Sequence, residues 1–260
     1  MKIGIIGLGL IGGSLFKDLS KNYDVIAVSQ SQNGEKIFKT YDVLKDRDIV
    51  FVCTPMNKTL KVLDELENYL LPETVVTDVC SLKEFVCQKE RPYIFIPSHP
   101  MAGTEHKGFE NSFEGLFKGA KWVVIREAKN SGKLKVESGK LLLEKIINYL
   151  GAEPVFTSAE EHDKAVAMIS HMPMVLAQAL VLSIKNNPLA KEIAASGFRD
   201  MTRLALSNEE MACDMVSMNS KNIENAILNL YKSVGELTSG NYPEIIKELK
   251  QIRSEMYTVS

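Results

Sequence analysis

Two stretches of this chain hold residue types whose spacing can do chemistry. The first is Gly7-Leu8-Gly9-Leu10-Ile11-Gly12, a G-x-G-x-x-G run directly behind the apolar Ile3 to Ile6 and ahead of Gly13-Ser14-Leu15-Phe16, which opens a helix. At such a junction Gly7 permits the tight turn, Gly9 lets the backbone approach a pyrophosphate and Gly12 lets helix and strand pack closely. The helix N-terminus adds amide donors and positive potential. These six residues are the expected cofactor-binding turn. The second stretch, Ser98-His99-Pro100-Met101-Ala102-Gly103-Thr104-Glu105, follows Ile94 to Ile96 and so falls at the carboxyl end of a strand, the edge where open α/β sheets bind ligands. A neutral imidazole accepts a proton near pH 7, which makes His99 the candidate general base. Ser81, within Asp78-Val79-Cys80-Ser81-Leu82-Lys83, has three readings: it orients His99, it touches a nicotinamide carboxamide, or it simply caps a helix. Arg203 either clamps a carboxylate through two parallel charge-assisted bonds or makes a surface ion pair on a helix. Of the remaining histidines, His106 reads as loop surface, His162 as a helix-start residue, and His171 lies on a helix that Pro173 interrupts.

The elements that must position these groups are legible as alternating runs. Ile3 to Ile6, Val25 to Val28, Ile49 to Cys53, Thr74 to Thr77, Tyr93 to Ile96 and Trp122 to Ile125 are mostly continuous apolar segments, as expected of parallel strands covered on both faces. Leu60, Leu63, Leu66 and Leu70 mark a helical stripe between them. This pattern predicts an α/β fold, a Rossmann-type parallel sheet domain over residues 1–152. After Pro154 the character changes. Ala159 to Lys185 and Ser207 to Ser239 are helical in period and composition, predicting an all-α domain over residues 153–260. Ser158 and Glu161 are spaced as a capping box, and Pro173 should free the carbonyl of Ile169 and kink its helix. Lys129 to Glu137 reads as a polar loop.

Cofactor choice turns on the end of the second strand, where an acid would bond the adenosine 2′-hydroxyl. Here stand Ser29, Gln30, Ser31, Gln32 and Asn33. Without a carboxylate to repel a 2′-phosphate, and with Lys36 in reach, the loop leans slightly to NADP; no Arg is present, and NAD stays open. Thr54 and Pro55, behind the third strand, join the expected cofactor contacts.

The bulk numbers narrow the partners. With 45% apolar and 25% charged residues over 260 positions and a net charge of −2, the chain can build a core and has no global field for nucleic acid or an anionic membrane. No uninterrupted run of about 18 apolar residues suggests a membrane span. The chain enters Lys2 to Ile6 without a basic leader, so a cytoplasmic location is expected. Cys53, Cys80, Cys87 and Cys213 lack C-x-x-C spacing and companion histidines, which predicts reduced thiols and no metal site. A small-molecule substrate remains.

Taken in order, Gly7 to Ser14, Asp78 to Lys83, Ser98 to Glu105, Leu116 to Gly119, His162-Asp163, Ser170-His171-Met172-Pro173 and Gly197-Phe198-Arg199-Asp200-Met201-Thr202-Arg203 resemble the prephenate/arogenate dehydrogenase family over nearly the whole chain. The resemblance implies oxidative decarboxylation of a cyclohexadienyl ring in tyrosine biosynthesis, with a nicotinamide dinucleotide as hydride acceptor. It implies that Arg203 holds the substrate, that Glu105 is the acid at the mouth of the site, and that Gly103, Thr104, His171 and Met174 lie along the substrate. Two positions depart from the family's pattern. Met174 stands where some members carry a second histidine associated with the carboxylate of prephenate, which leans the preference towards arogenate or dual use, and Ala212 stands where relatives have an aromatic residue. Another two-domain enzyme, of β-hydroxyacid dehydrogenase or pyrroline carboxylate reductase type, would lack the His99 to Glu105 element. A non-enzymatic dinucleotide sensor would have no use for His99, Ser81 and Arg203 together. Met211, Met215, Met218, Ile223 and Leu230 offer surplus apolar helix surface, which predicts a homodimer through the helical domain.

Overall fold

Strand β1, Lys2–Ile6, is buried from Ile3 onward because helices cover it on both sides. The computed structural model describes residues 1–104, 106–126 and 133–257. Around β1 lie β2 (Asp24–Val28), β3 (Ile37–Phe38), β4 (Ile49–Val52), β5 (Val75–Asp78) and β6 (Ile94–Phe95), all parallel, in the order β3-β2-β1-β4-β5-β6. Alternation along the strands feeds two cores. Ile3, Ile5, Ile49 and Phe51 face Leu15 and Leu19 of α1 (Leu10–Leu19), together with Trp122 and Ile146. Ile6, Val50 and Val52 face Leu63 and Leu66 of α2 (Met56–Leu66). Leu60, expected in the buried stripe of α2, points outward, and Val62 is buried with Leu63 and Leu66.

The last expected strand is present as β8 (Lys121–Ile125), but it belongs to a second sheet, antiparallel to β7 (Ser98–Pro100) and parallel to β9 (Glu153–Thr157). Strand β9 carries the strand layer to Thr157, past the expected boundary at residue 152. Pro154 hides it in the sequence, yet β9 is an edge strand, where a missing amide is tolerated. Helix α3 (Lys133–Tyr149) packs Leu143, Ile146 and Ile147 into the first core, and it starts inside the segment read as a polar loop.

The C-terminal part is helical: α4 (Ala159–Val166), α5 (Met172–Ser183), α6 (Pro188–Glu192), α7 (Ser196–Thr202), α8 (Glu209–Met218), α9 (Ser220–Ser239) and α10 (Tyr242–Met256). The Ser158–Glu161 capping box opens α4, with Glu161 N–H donating to Ser158 Oγ at 3.2 Å and Ser158 N–H to Glu161 Oε2 at 3.4 Å. A π turn over Ala167–His171 joins α4 to α5, just ahead of Pro173, whose ring and missing amide widen the preceding turn. By length and composition the continuous helix Ala159–Ser183 could cross a membrane, which the search for uninterrupted apolar runs passed over; 28% of its most apolar stretch is buried. A third apolar cluster ties the two parts together, with Met56, Cys80 and Leu82 from the sheet domain against Val166, Met174 and Met215 from the helices.

Candidate active site

The switch point of the sheet lies between β1 and β4, whose connections leave in opposite directions, and ligands of open sheets bind there. Gly7, behind β1, has φ +89°, and a Cβ on it would meet the Cys53 carbonyl oxygen at 2.6 Å; one on Gly12 would stand 1.9 Å from the Gly7 oxygen. Only glycine fits either place. Gly9 caps α1 with no side-chain bond and no acid in the first turn, and a Cβ there would meet nothing within 4 Å. Open space above free amides at a helix start fits a dinucleotide pyrophosphate. Leu8 is buried in the first core, and Leu10 and Ile11 open the helix at its rim. Across the switch point Pro55 starts α2, and the Thr54 hydroxyl lies 3.0 Å from the Thr59 hydroxyl.

The end of β2 is built differently from expectation. Ser29 is buried, its Oγ accepting the Gln32 amide at 3.2 Å, while Gln30 donates its side-chain amide to the Lys39 carbonyl at 2.9 Å. A cation lies over this loop, Lys39, which the sequence reading did not name. Parallel pairing of Val28 with Phe38 sets the next residues, Ser29 and Lys39, side by side, and the Lys39 ammonium donates to the carbonyls of Ser29, Gln30 and Gln32 at 2.9, 3.3 and 2.7 Å.

His99 sits on β7, pinned from beneath. The Ser98 hydroxyl donates to the Asp78 carbonyl at 3.0 Å and accepts the Trp122 indole N–H at 3.0 Å. Lys83, fully buried, donates to the Asp78 carboxylate and, at 2.7 Å, to the Ser98 carbonyl. Burial, the nearby His162 and the ammonium of Lys83 hold the His99 pKa well below 6.5, so the imidazole is neutral at pH 7. The Ser81 hydroxyl donates to Met56 Sδ at 3.3 Å rather than to His99, and among the described residues no helix directly follows for Ser81 to cap; the carboxamide reading is a proposal. The partner of His99 is His162, whose Nε2 lies 3.0 Å from His99 Nδ1, and Asp163 follows, its Oδ1 2.7 Å from His162 Nδ1. Sequence reasoning placed His162 at a helix start, which is correct, and missed its contact with His99. The available signal was a second polar residue beside it on a face that packs inward.

His171 joins the same group from the π turn. Its Nδ1 accepts from Asn219 Nδ2 at 3.1 Å, which places its proton on Nε2, and that atom is buried without a partner among the described residues. Burial lowers its pKa to about 4. Met174 is packed in the third cluster, with Ala212 at its edge. Gly103 and Thr104 are exposed, with Thr104 Oγ1 accepting the His106 amide at 3.2 Å; Glu105 lies outside the described residues. Arg203 is exposed at the end of α7 and makes no ion pair among the described residues. A cleft of about 530 Å³ opens beside it, lined by Gln178, Ala205, Ser207, Glu209, Ala212 and others of α8, and not by the histidines. Burial pushes the Cys80 thiol up to about 12, leaving it an inert member of the packing.

A parallel sheet in this order, a glycine turn open to a pyrophosphate and a neutral histidine on the short strand held against the carboxyl end of β5, backed by a helical domain, define a nicotinamide-dependent dehydrogenase of the two-domain kind. Comparison with known proteins sharpens this. Residues 26–150 match a family model described as the nucleotide-binding domain of prephenate dehydrogenase, and residues 158–251 one described as its dimerization domain. The chain belongs to the prephenate dehydrogenase family. A prephenate dehydrogenase of Bacillus subtilis is 32% identical over 84% of this chain and 64% of its own length. The crystal structure of Synechocystis arogenate dehydrogenase superposes with a TM-score of 0.81 at 29% identity, covering 98% of this chain and 99% of that one. A prephenate dehydrogenase from A. aeolicus, solved with hydroxyphenyl propionate and NAD+, gives 0.85 at 25% identity, covering 98% of each chain. The family-model match begins at residue 26, so the glycine turn lies outside it.

Proposed function

We propose that this chain oxidatively decarboxylates prephenate, arogenate or both, with His99 as general base. The observation that carries the reading is a desolvated, neutral imidazole held against the carboxyl end of β5, in a sheet whose first turn is built for a dinucleotide. A bound nicotinamide supplies the hydride acceptor; the chain's part is to align the carbinol, take its proton and hold the anionic substrate. The buried Nε2–H of His171 is a donor fit for a substrate oxygen, and Arg203, free of protein partners among the described residues, is available to a carboxylate. Because Met174 offers no charge, arogenate or dual use is favoured. Incubating the purified chain with each substrate and each cofactor, while following reduced cofactor and released carbon dioxide, tests the assignment; no reduction with either substrate rejects it.

The Lys39 ammonium beside a loop without carboxylates supports use of NADP. Ser29→Asp should raise the KM for NADP about tenfold or more and improve that for NAD, since it restores both the ribose bond and the repulsion of a 2′-phosphate. A wild type that uses NAD alone contradicts this reading of the loop. A homodimer is supported by the accessible surface of 15025 Å² for a chain of 29.0 kDa, about a third more than a folded monomer of that mass presents. Within that dimer the exposed side of the helix Ala159–Ser183 is covered by protein, with no membrane required.

A further inference from the structure

We propose that His162 and Asp163 are positioning residues that hold His99 in the tautomer leaving its Nε2 free to take the substrate's hydroxyl proton. The argument rests on the reading of His99 as base and runs outward from the carboxylate. Asp163 Oδ1 accepts the Lys83 amide at 2.8 Å and Oδ2 the Glu84 amide at 2.9 Å, so the group is an ionised acceptor. Its Oδ1 faces His162 Nδ1 at 2.7 Å, which therefore carries a proton. A neutral His162 then has its lone pair on Nε2, 3.0 Å from His99 Nδ1, and that lone pair requires a donor. His99 thus keeps its proton on Nδ1 and its own lone pair on Nε2. With His162 neutral, the reverse arrangement would turn the lone pair of its Nδ1 onto the carboxylate.

The surroundings fix the chain of bonds. His162 and Asp163 are 2% and 3% exposed, and Asn219 Nδ2 donates to the Asp163 carbonyl at 3.0 Å. The two imidazoles meet edge to face at 77°, with 5.2 Å between centroids. The carboxylate also secures the Lys83 and Glu84 amides, but the two ring nitrogens of the buried His162 face Asp163 and His99, the geometry of a group that orients a base. The charged and titratable groups facing His99 are His162, Lys83 and His171. In the reaction step one proton moves from the substrate hydroxyl to His99 Nε2, and the new imidazolium is stabilised by its Nδ1–H bond to His162, whose opposite edge rests on Asp163.

The ring-nitrogen ¹⁵N spectrum of the wild type at pH 8 should show His99 protonated at Nδ1 and bare at Nε2. His162→Phe and His162→Asn, neither of which offers Nδ1 an acceptor at that place, should lower kcat by about 10- to 100-fold with both KM values changed less than about threefold. The acid limb of the kcat profile should move to lower pH, since the imidazolium loses its acceptor. His162→Gln, whose amide oxygen reaches the Nε2 position, should recover most of the loss. A wild-type His99 protonated at Nε2, or a folded His162→Phe with wild-type kcat and pH profile, overturns the assignment even if His99→Asn is inactive. An active His99→Asn would instead overturn the base itself.

Discussion

At the scale of single residues the chain relies on groups kept neutral by burial. His99→Asn should leave cofactor binding nearly intact and lower turnover by about 100-fold or more, the usual scale for a lost general base; unchanged turnover and pH dependence would remove it from the mechanism. The same burial makes stability depend on pH. His171 titrates at about 4 when folded and near 6.5 when unfolded, so between those values the unfolded chain binds a proton that the native one refuses. Stability is therefore fully present above about 6.5 and falls as pH drops towards 4, by about 3 kcal/mol for His171 alone, with the depressed His99 adding in the same direction. Urea midpoints that stay constant from pH 7 to 5 would show that these rings are hydrated in solution. What the residue types announced was His99 as the candidate base. What they hid was its neighbour, because 63 positions separate His99 from His162 and only the docking of α4 beside β7 joins them.

At the scale of elements, β7 is a three-residue strand containing a proline, too short to be held by its ladder alone. Lys83 holds it to the end of β5 by bridging Asp78 and the Ser98 carbonyl. Lys83→Met would leave the Asp78 carboxylate buried without its cation, a loss of about 3–5 kcal/mol. Asp78→Asn combined with Lys83→Met should restore part of it, since no charge is then stranded. Denaturant midpoints for the single and double variants check this, and equal midpoints for the wild type and Lys83→Met would show that the pair is not needed. The long parallel strands were readable because covered strands are continuous apolar runs, and the α4 start because Ser158 and Glu161 have capping-box spacing. Strand β3 is two residues long and β7 three, below the length at which any period can be counted, and β9 is masked by Pro154. The loss of β3 had a consequence at the proposed cofactor loop: without its pairing to β2 nothing in the sequence brings Lys39 over residues 29–32.

At the scale of the whole molecule the larger share of exposed apolar side chains lies on the helical domain. Met215 and Ile223, expected to offer outward apolar surface, are buried within the chain, while Met211 and Met218 are exposed. Residues outside that expectation dominate the open face: Leu182 is 67% exposed, Tyr231 77% and Leu206 80%. Apolar surface of this extent on α5, α9 and the turn after Arg203 is what a symmetric interface covers, and the match of residues 158–251 to a dimerization domain points the same way. Arg203 and the cleft near it lie on this part of the molecule, so loss of the interface should disturb the proposed substrate end of the site while sparing the glycine turn. Leu182→Glu combined with Leu228→Glu should therefore yield a monomer at micromolar concentration, seen by sedimentation, with a lower Tm that no longer rises with protein concentration. Its substrate KM should rise while its affinity for the dinucleotide changes little. A wild type that sediments as a monomer with a concentration-independent Tm would leave that surface without the proposed partner, and unchanged assembly of the double variant would place the interface on another face of the helices.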